Sequence, residues 1–263
     1  MKNYLRTSIS FVLMLITVSA SAGPVTERIA KNGVMRVCIW PDYYSITYRN
    51  PRNQELSGID VTLSAAFASD LGVKLEYVES SFAKLVDDIN MNRCDIAMFG
   101  VGITAQRQQL LAFSQPYLQS GIYAMATRNS RVIKKWEDID KPGALIAVQA
   151  GTFMEPVMAA TLKNARLVKI SPPQTREQEL EAGRVDAFMT DYPYSRRLIE
   201  NSDWAKLVAP AQPFNPIPYA YAARKDDDEW MKRINVFVSA IKSDGRLTKA
   251  ATRAGLSEIV LLK

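Results

Sequence analysis

The 263-residue sequence predicts an α/β protein with two lobes, each a mainly parallel sheet with helices on both faces. Three observations support this prediction: a strand–helix alternation that occurs twice, two strand-like connections, and a C-terminal helix with no strand pattern after it. The connections, near 120–128 and 216–224, would act as hinge crossovers between the lobes. We therefore expect residues 23–121 and 222–263 to form lobe 1 and residues 122–221 to form lobe 2.

The first unit alternates short apolar strands with segments whose apolar residues recur at helical spacing. Its elements are a strand at 34–40, a helix at 59–72, a strand at 73–79, a helix at 81–92 and a strand at 94–100. The order β-α-β-α-β predicts parallel strands joined by right-handed crossovers.

The second unit repeats this order after a short helical turn. Its elements are a turn at 136–143, a strand at 144–151, a helix at 152–162, a strand at 165–171, a helix at 175–185 and a strand at 186–191. A final amphipathic helix at 228–247 is expected to pack onto lobe 1.

The N-terminus predicts export. Two basic residues precede an apolar run at 9–18, and the small residues at 20–22 are typical of a signal-peptide cleavage site. The run is shorter than the about 20 residues of a membrane-spanning helix. We expect residues 1–22 to be a signal peptide cleaved near Ala22, which would leave a periplasmic protein.

Composition excludes several classes of function. The chain has no histidine, which excludes Ser-His-Asp and Cys-His catalysis and every His-based metal site. Its formal charge is +6, but the basic residues are scattered, so we expect no nucleic-acid partner. The sequence indicates no cofactor and no metal.

The two cysteines leave a disulfide open. Cys38 and Cys94 could pair in an oxidising compartment. The predicted layout places them on neighbouring strands but staggered by several residues, which disfavours the bond.

The ends of the predicted strands show where a ligand would bind. Ligands of open parallel sheets lie beyond the carboxyl ends of the strands. The places to examine are therefore after Trp40, Gly100 and Gly151 and at Asp191.

The segment "GVGITAQR" (100–107) is a candidate anion site. Gly100 and Gly102 leave backbone N–H groups accessible, and Thr104 is a suitable N-cap for a helix that begins at the next residue. Arg107 lies in the first turn, where a cation opposes the helix dipole unless an anion compensates it. A solvated arginine on an amphipathic helix is the alternative.

Asp191, in lobe 2, is the candidate counterpart of Arg107. A cation and an anion that face each other across two lobes suit a zwitterion, and hence an α-amino acid. The alternative is that Asp191 only caps the following helix. Aromatic residues at strand ends could surround the ligand side chain, although core packing is their commoner role: Trp40, Tyr43, Phe99 and Phe153.

Together these segments resemble the periplasmic polar amino-acid binding proteins (solute-binding protein family 3) of ABC importers. The motifs "SGIDVTL", "GVGITAQR", "AFSQPY", "AVQAGT" and "GRVDAFMTD" occur in the family's order over essentially the whole mature chain. The resemblance implies the two-lobed type II periplasmic binding protein fold and no cofactor. It also implies an amino-acid ligand, an ABC permease as partner, and a monomer.

The resemblance also implies roles for individual residues. Arg107 matches the arginine that holds the ligand α-carboxylate, with N–H groups near Gly100 and Gly102, and Asp191 matches the aspartate that takes the α-ammonium. Thr152 would also reach the carboxylate. The side-chain pocket would be lined by Trp40, Tyr43, Phe99 and the polar residue Gln149.

Three positions depart from the family pattern. Gly102 replaces a common Thr or Ser, Phe153 replaces small residues, and Trp40 replaces an aspartate that many members keep. Losing that acid argues against lysine or arginine as ligand.

The competing function is an enzyme on the same fold, similar to the cyclohexadienyl (prephenate or arogenate) dehydratases. These eliminate water and a carboxylate, which requires a general acid in the cleft. Glu155 is the candidate, with a pKa that burial could raise. The alternative is that Glu155 only complements a helix dipole. A third interpretation is a sensory module, but the sequence shows no attached signalling domain that would support it.

Overall fold

The structure is a computed structural model that describes residues 23–263, so the predicted signal peptide lies outside the described residues. In chain order the strands are β1 (Val34–Ile39), β2 (Asp42–Tyr43), β3 (Thr47–Arg49), β4 (Leu56–Ser57), β5 (Lys74–Glu79), β6 (Ile96–Gly102), β7 (Ala112–Phe113), β8 (Leu118–Ser120), β9 (Ile122–Thr127), β10 (Leu145–Gln149), β11 (Arg166–Ile170), β12 (Ala187–Asp191), β13 (Ala205–Val208) and β14 (Ile217–Ala223).

The helices, in the same order, are α1 (Pro24–Asn32), α2 (Ile59–Leu71), α3 (Leu85–Asn90), α4 (Ala105–Leu110), α5 (Met154–Thr161), α6 (Arg176–Glu181), α7 (Tyr192–Asn201), α8 (Asp228–Ser243) and α9 (Arg246–Ala254). Short 3-10 helices lie at Trp136–Asp138 and Ser257–Ile259. Each of the described helices is too short or too polar to span a bilayer.

The first sheet has the strand order β5-β1-β6-β14-β7, and β8 also pairs with β14. Strand β1 is parallel to both β5 and β6, as the first β-α-β-α-β unit predicts. Strand β14 is antiparallel to β6, β7 and β8. The predicted connection at 216–224 is therefore part of this sheet.

The second sheet repeats this arrangement in the order β11-β10-β12-β9-β13. Strand β10 is parallel to β11 and β12, and β9 runs antiparallel between β12 and β13. The two sheets, each with helices of its own, confirm the predicted α/β class and two-lobed fold. They correct one detail, because both sheets are mixed rather than mainly parallel.

The sheet to which each strand belongs shows where the chain crosses between the lobes. The chain leaves the first sheet at Ser120 and enters the second at Ile122. It leaves the second at Val208 and rejoins the first at Ile217, which is earlier than the predicted lobe boundary at 221. The strand-like pattern at 216–224 is thus the returning strand rather than the crossover itself.

The C-terminal helices pack onto the first sheet's side of the molecule, as predicted. Trp230 is buried, stacks on Phe67 and donates its Nε1–H to the backbone oxygen of Asp95 at 2.8 Å. The helix predicted over 228–247 is broken at Gly245, whose φ of 82° favours glycine, and α9 follows as a separate helix.

Cys38 and Cys94 form a disulfide, so the expectation that strand stagger disfavours it is wrong. Cys38 lies opposite Ala97 in the parallel pair of β1 and β6. Cys94, however, lies in the turn before β6 begins at Ile96, where the strand rise does not fix its position. The turn brings the two Cα atoms to 5.5 Å, within the range a disulfide spans.

Candidate ligand-binding cleft

A cavity lies between the two sheets, beyond the carboxyl ends of their parallel strands, as the strand ends predict. Its volume is about 20 Å³, about the space of one water molecule. The first lobe contributes Trp40, Tyr43, Phe82 and Gly100, and the second contributes Thr152, Phe153, Met154, Arg176, Thr190, Asp191 and Tyr194.

Six of the ten sequence-predicted binding residues line this cavity: Trp40, Tyr43, Gly100, Thr152, Phe153 and Asp191. Arg107 lines an adjoining cavity of about 610 Å³, which shares Phe82, Thr152 and Phe153 with the first. Gln149 lines two further cavities, both of which also include Trp40. Phe99 is fully buried behind Phe82, with their ring centroids 5.1 Å apart. Gly102 instead offers its carbonyl to Arg107.

Arg107 is a buried cation that bridges the two lobes, so the alternative of a solvated helix charge is wrong. Only 7% of it is exposed. Its Nη1 donates to the oxygen of Gly102 and its Nη2 to the oxygen of Gly151, both at 2.9 Å. Burial lowers the pKa of Arg107 to about 10, which still keeps it charged at neutral pH. Both partners are neutral carbonyls, and a carboxylate is the stronger partner for a guanidinium.

The position of Arg107 follows from local sequence signals. Thr104 caps α4, as predicted, because its Oγ1 accepts from the N–H of Arg107 at 3.1 Å. The Arg107 guanidinium also lies 5.4 Å from the Phe82 ring centroid, within the range of a cation–π contact. The turn therefore aims Arg107 into the cleft.

Asp191 is the buried anion on the opposite lobe. The hydroxyls of Tyr43 and Tyr219, both from the first lobe, donate to its Oδ2, the latter at 2.6 Å. Its Oδ1 accepts from the N–H of Tyr194 at 3.3 Å, so Asp191 does cap α7, as the alternative interpretation has it. Burial raises the pKa of Asp191, and the hydrogen bonds from the two hydroxyls oppose that rise.

Gly100 is held by a second buried carboxylate. Its N–H donates to Oδ2 of Asp60 at 2.9 Å, so this N–H group is already used within the protein. Tyr117 and Tyr221 also donate to Asp60, at 2.5 and 3.2 Å. Burial raises the pKa of Asp60 to about 7. Asp60 therefore fixes the turn below the cavity rather than capping α2.

At Gly151 the backbones of the two lobes lie close together. Its φ is 77°, and a Cβ on it would lie 2.6 Å from the backbone nitrogen of Ala83. Glycine is therefore required at 151 when the lobes are together. Next to it, the Thr152 hydroxyl donates to the oxygen of Gln149 at 2.8 Å, which tightens the turn after β10.

Glu155 does not have the properties predicted for a general acid. It lines the 610 Å³ cavity rather than the 20 Å³ cavity that Asp191 lines. One oxygen pairs with Lys169 at 2.6 Å and the other accepts from the N–H of Gly151 at 2.9 Å. The Lys169 contact, followed by the Gly151 bond, lowers the pKa of Glu155, so the expectation of a raised pKa is wrong.

Sequence reasoning missed six cleft residues: Phe82, Met154, Arg176, Thr190, Tyr194 and Tyr219. Phe82 follows β5 and Arg176 follows β11, and the rule of carboxyl strand ends would have found both had it been applied to all parallel strands. Tyr219 belongs to β14, whose antiparallel pairing the sequence did not show.

Comparisons with known proteins agree with this architecture. The family model of bacterial extracellular solute-binding proteins, family 3, matches residues 35–255. The chain is 32% identical to a cyclohexadienyl dehydratase of Pseudomonas aeruginosa over 78% of its own length and 79% of that protein. It is 23% identical to an L-cystine-binding protein of Escherichia coli, with 84% and 82% covered.

A solved structure shows the same fold. An ancestral amino acid-binding protein, a precursor of cyclohexadienyl dehydratase, superposes with a TM-score of 0.78 at 30% sequence identity. The match covers 86% of this chain and 97% of the ancestral protein.

Proposed function

This chain belongs to the bacterial extracellular solute-binding proteins, family 3, and from that premise we propose that it captures an amino acid or related small zwitterion and delivers it to an ABC permease. We further propose that residues 1–22 direct export to the periplasm, with cleavage near Ala22, and that the mature protein acts as a monomer. The disulfide is consistent with export, because such bonds persist in oxidising compartments.

The observation that carries the proposal is the pair of opposite buried charges on the two lobes. Arg107 would bind the α-carboxylate and Asp191 the α-ammonium, so both ends of a zwitterion would meet a charge of opposite sign. Because Arg107 already reaches across to Gly151, a ligand at this point would touch both lobes at once. Closing the lobes would then bury the ligand and strengthen each charged contact.

The lining of the cavity supports a small ligand with some apolar surface. Trp40, Tyr43, Phe82 and Phe153 supply aromatic walls. The cavity of about 20 Å³ is too small for an amino acid, so the lobes must separate for a ligand to enter. The crossovers at 120–122 and 208–217 are where such a movement would occur.

A thermal-shift panel tests this function. We expect at least one amino acid to raise the melting temperature of the mature protein, since ligand at 100 times its Kd stabilises the folded state by about 2.7 kcal/mol. The methyl ester and the N-acetyl derivative of that amino acid are matched controls, because each lacks one of the two charges. A panel of amino acids and related zwitterions without any shift would contradict the proposal.

A dehydratase is the second candidate, favoured by the 32% identity to the Pseudomonas aeruginosa enzyme. The test is turnover of prephenate and arogenate by the wild type and by Glu155→Gln. From the lowered pKa of Glu155 we expect it not to act as general acid, so any turnover should survive this substitution. Turnover that disappears in Glu155→Gln would instead restore the catalytic role.

A further inference from the structure

Arg176 is a second buried cation of the cleft, on the wall that the second lobe provides. It is 3% exposed and lines the 20 Å³ cavity. Its Nη1 donates to the oxygen of Met189 at 2.8 Å, which ties the start of α6 to β12. The guanidinium carbon lies 5.1 Å from the ring centroid of Phe188 and 4.6 Å from that of Tyr194.

No described carboxylate forms an ion pair with Arg176, and within residues 23–263 only its Nη1 has a hydrogen-bond acceptor. The hydrogen bond to the Met189 oxygen does not require a charged side chain, because a neutral donor could make it. A buried cation carries a desolvation cost that cation–π contacts only partly offset. The remaining donors of Arg176 therefore suit an anion that comes from outside the protein.

The charges around the cleft indicate what that anion belongs to. Arg107 and Arg176 supply two cations. Asp191 is the one acidic residue on the described lining of the 20 Å³ cavity, and Glu155 of the adjoining cavity is already paired with Lys169 at 2.6 Å. A ligand that matches them carries one ammonium and two carboxylates. Two further acids, Asp42 and Glu177, line another cavity of about 100 Å³ that Arg176 also lines. Glu177 there accepts from the hydroxyl of Tyr194 at 2.5 Å.

We propose that the ligand is an amino acid with an acidic side chain, whose second carboxylate binds Arg176. This inference rests on the proposed function and names its substrate class. A cationic side chain would meet Arg176 with like charge, and a neutral amide would leave the guanidinium without a counter-charge.

Titration calorimetry with matched pairs of ligands tests the proposal: L-glutamate against L-glutamine, and L-aspartate against L-asparagine. We expect the acid to bind at least tenfold more tightly than its amide in one pair, since a charge-assisted hydrogen bond changes an association constant by about ten- to a hundredfold. Arg176→Gln should remove this preference. Arg166→Gln, an exposed arginine of the same lobe, should keep it.

The outcomes separate the two proposals. A neutral or basic amino acid that binds as tightly as the acids overturns the acidic-ligand inference but leaves the proposed function intact. Binding of none of the amino acids and related zwitterions of the panel overturns both. If Arg176→Gln does not fold, the acid–amide comparison on the wild type still decides the inference.

Discussion

Arg107→Ala abolishes the ligand-dependent rise in melting temperature that the wild type is expected to show. Removing one partner of a buried, hydrogen-bonded charge pair costs about 2–5 kcal/mol of binding free energy. That loss raises the dissociation constant by about thirtyfold or more. At about ten times the Kd of the wild type, the wild type is nearly saturated, whereas the variant would remain largely unbound.

The measurement is thermal unfolding with and without the amino acid found in the panel, followed by calorimetry of the same variant. Gln108→Ala is the matched control, because Gln108 lies exposed on the same short helix. It should keep the full shift. A ligand-dependent shift in Arg107→Ala equal to that of the wild type would disprove the assignment of Arg107 as the carboxylate anchor.

The disulfide gives the largest expected effect on stability. Replacing Cys38 and Cys94 together by alanine should lower the free energy of unfolding by about 4 kcal/mol. The bond closes a loop across a sequence separation of 56 residues, and its removal restores that conformational freedom to the unfolded chain. The two sulfurs are buried, so some packing is lost as well.

Urea unfolding of the oxidised wild type and the double variant measures this difference. Adding dithiothreitol provides the internal control, because it should lower the midpoint of the wild type and leave that of the double variant unchanged. Coincident midpoints for the two proteins without reductant would contradict the expected stabilisation.

The parallel parts of both sheets could be predicted from the sequence because strands and helices there have distinct periodicities. The antiparallel parts could not. Strands such as β7 and β8 have only two or three residues, too few to show any period. The return to the first sheet could not be located from the sequence because β14 has the same alternating pattern whether it connects lobes or joins a sheet. The disulfide was missed because strand register does not extend into the turn that holds Cys94.

The residues of the candidate site also fall into those that the sequence predicts and those that it does not. Arg107, Asp191 and the turn at Gly100 follow from caps, glycines and strand ends, which are local signals. The partners of Asp191 are not local. Tyr219 reaches it from a strand 28 residues away in sequence, and Tyr43 from one 148 residues away. Such pairings depend on how the two lobes meet, which no short stretch of sequence encodes.

The hydroxyls of Tyr43 and Tyr219 have a consequence for any ligand that Asp191 binds. They are internal competitors for that carboxylate, since they occupy the Oδ2 atom that an ammonium would also use. A complex forms only if the ligand ammonium replaces these two hydrogen bonds or shares the Oδ2 atom with them. The measured affinity is then a difference between two sets of hydrogen bonds on one carboxylate, so a tightly held ligand can still show a modest dissociation constant.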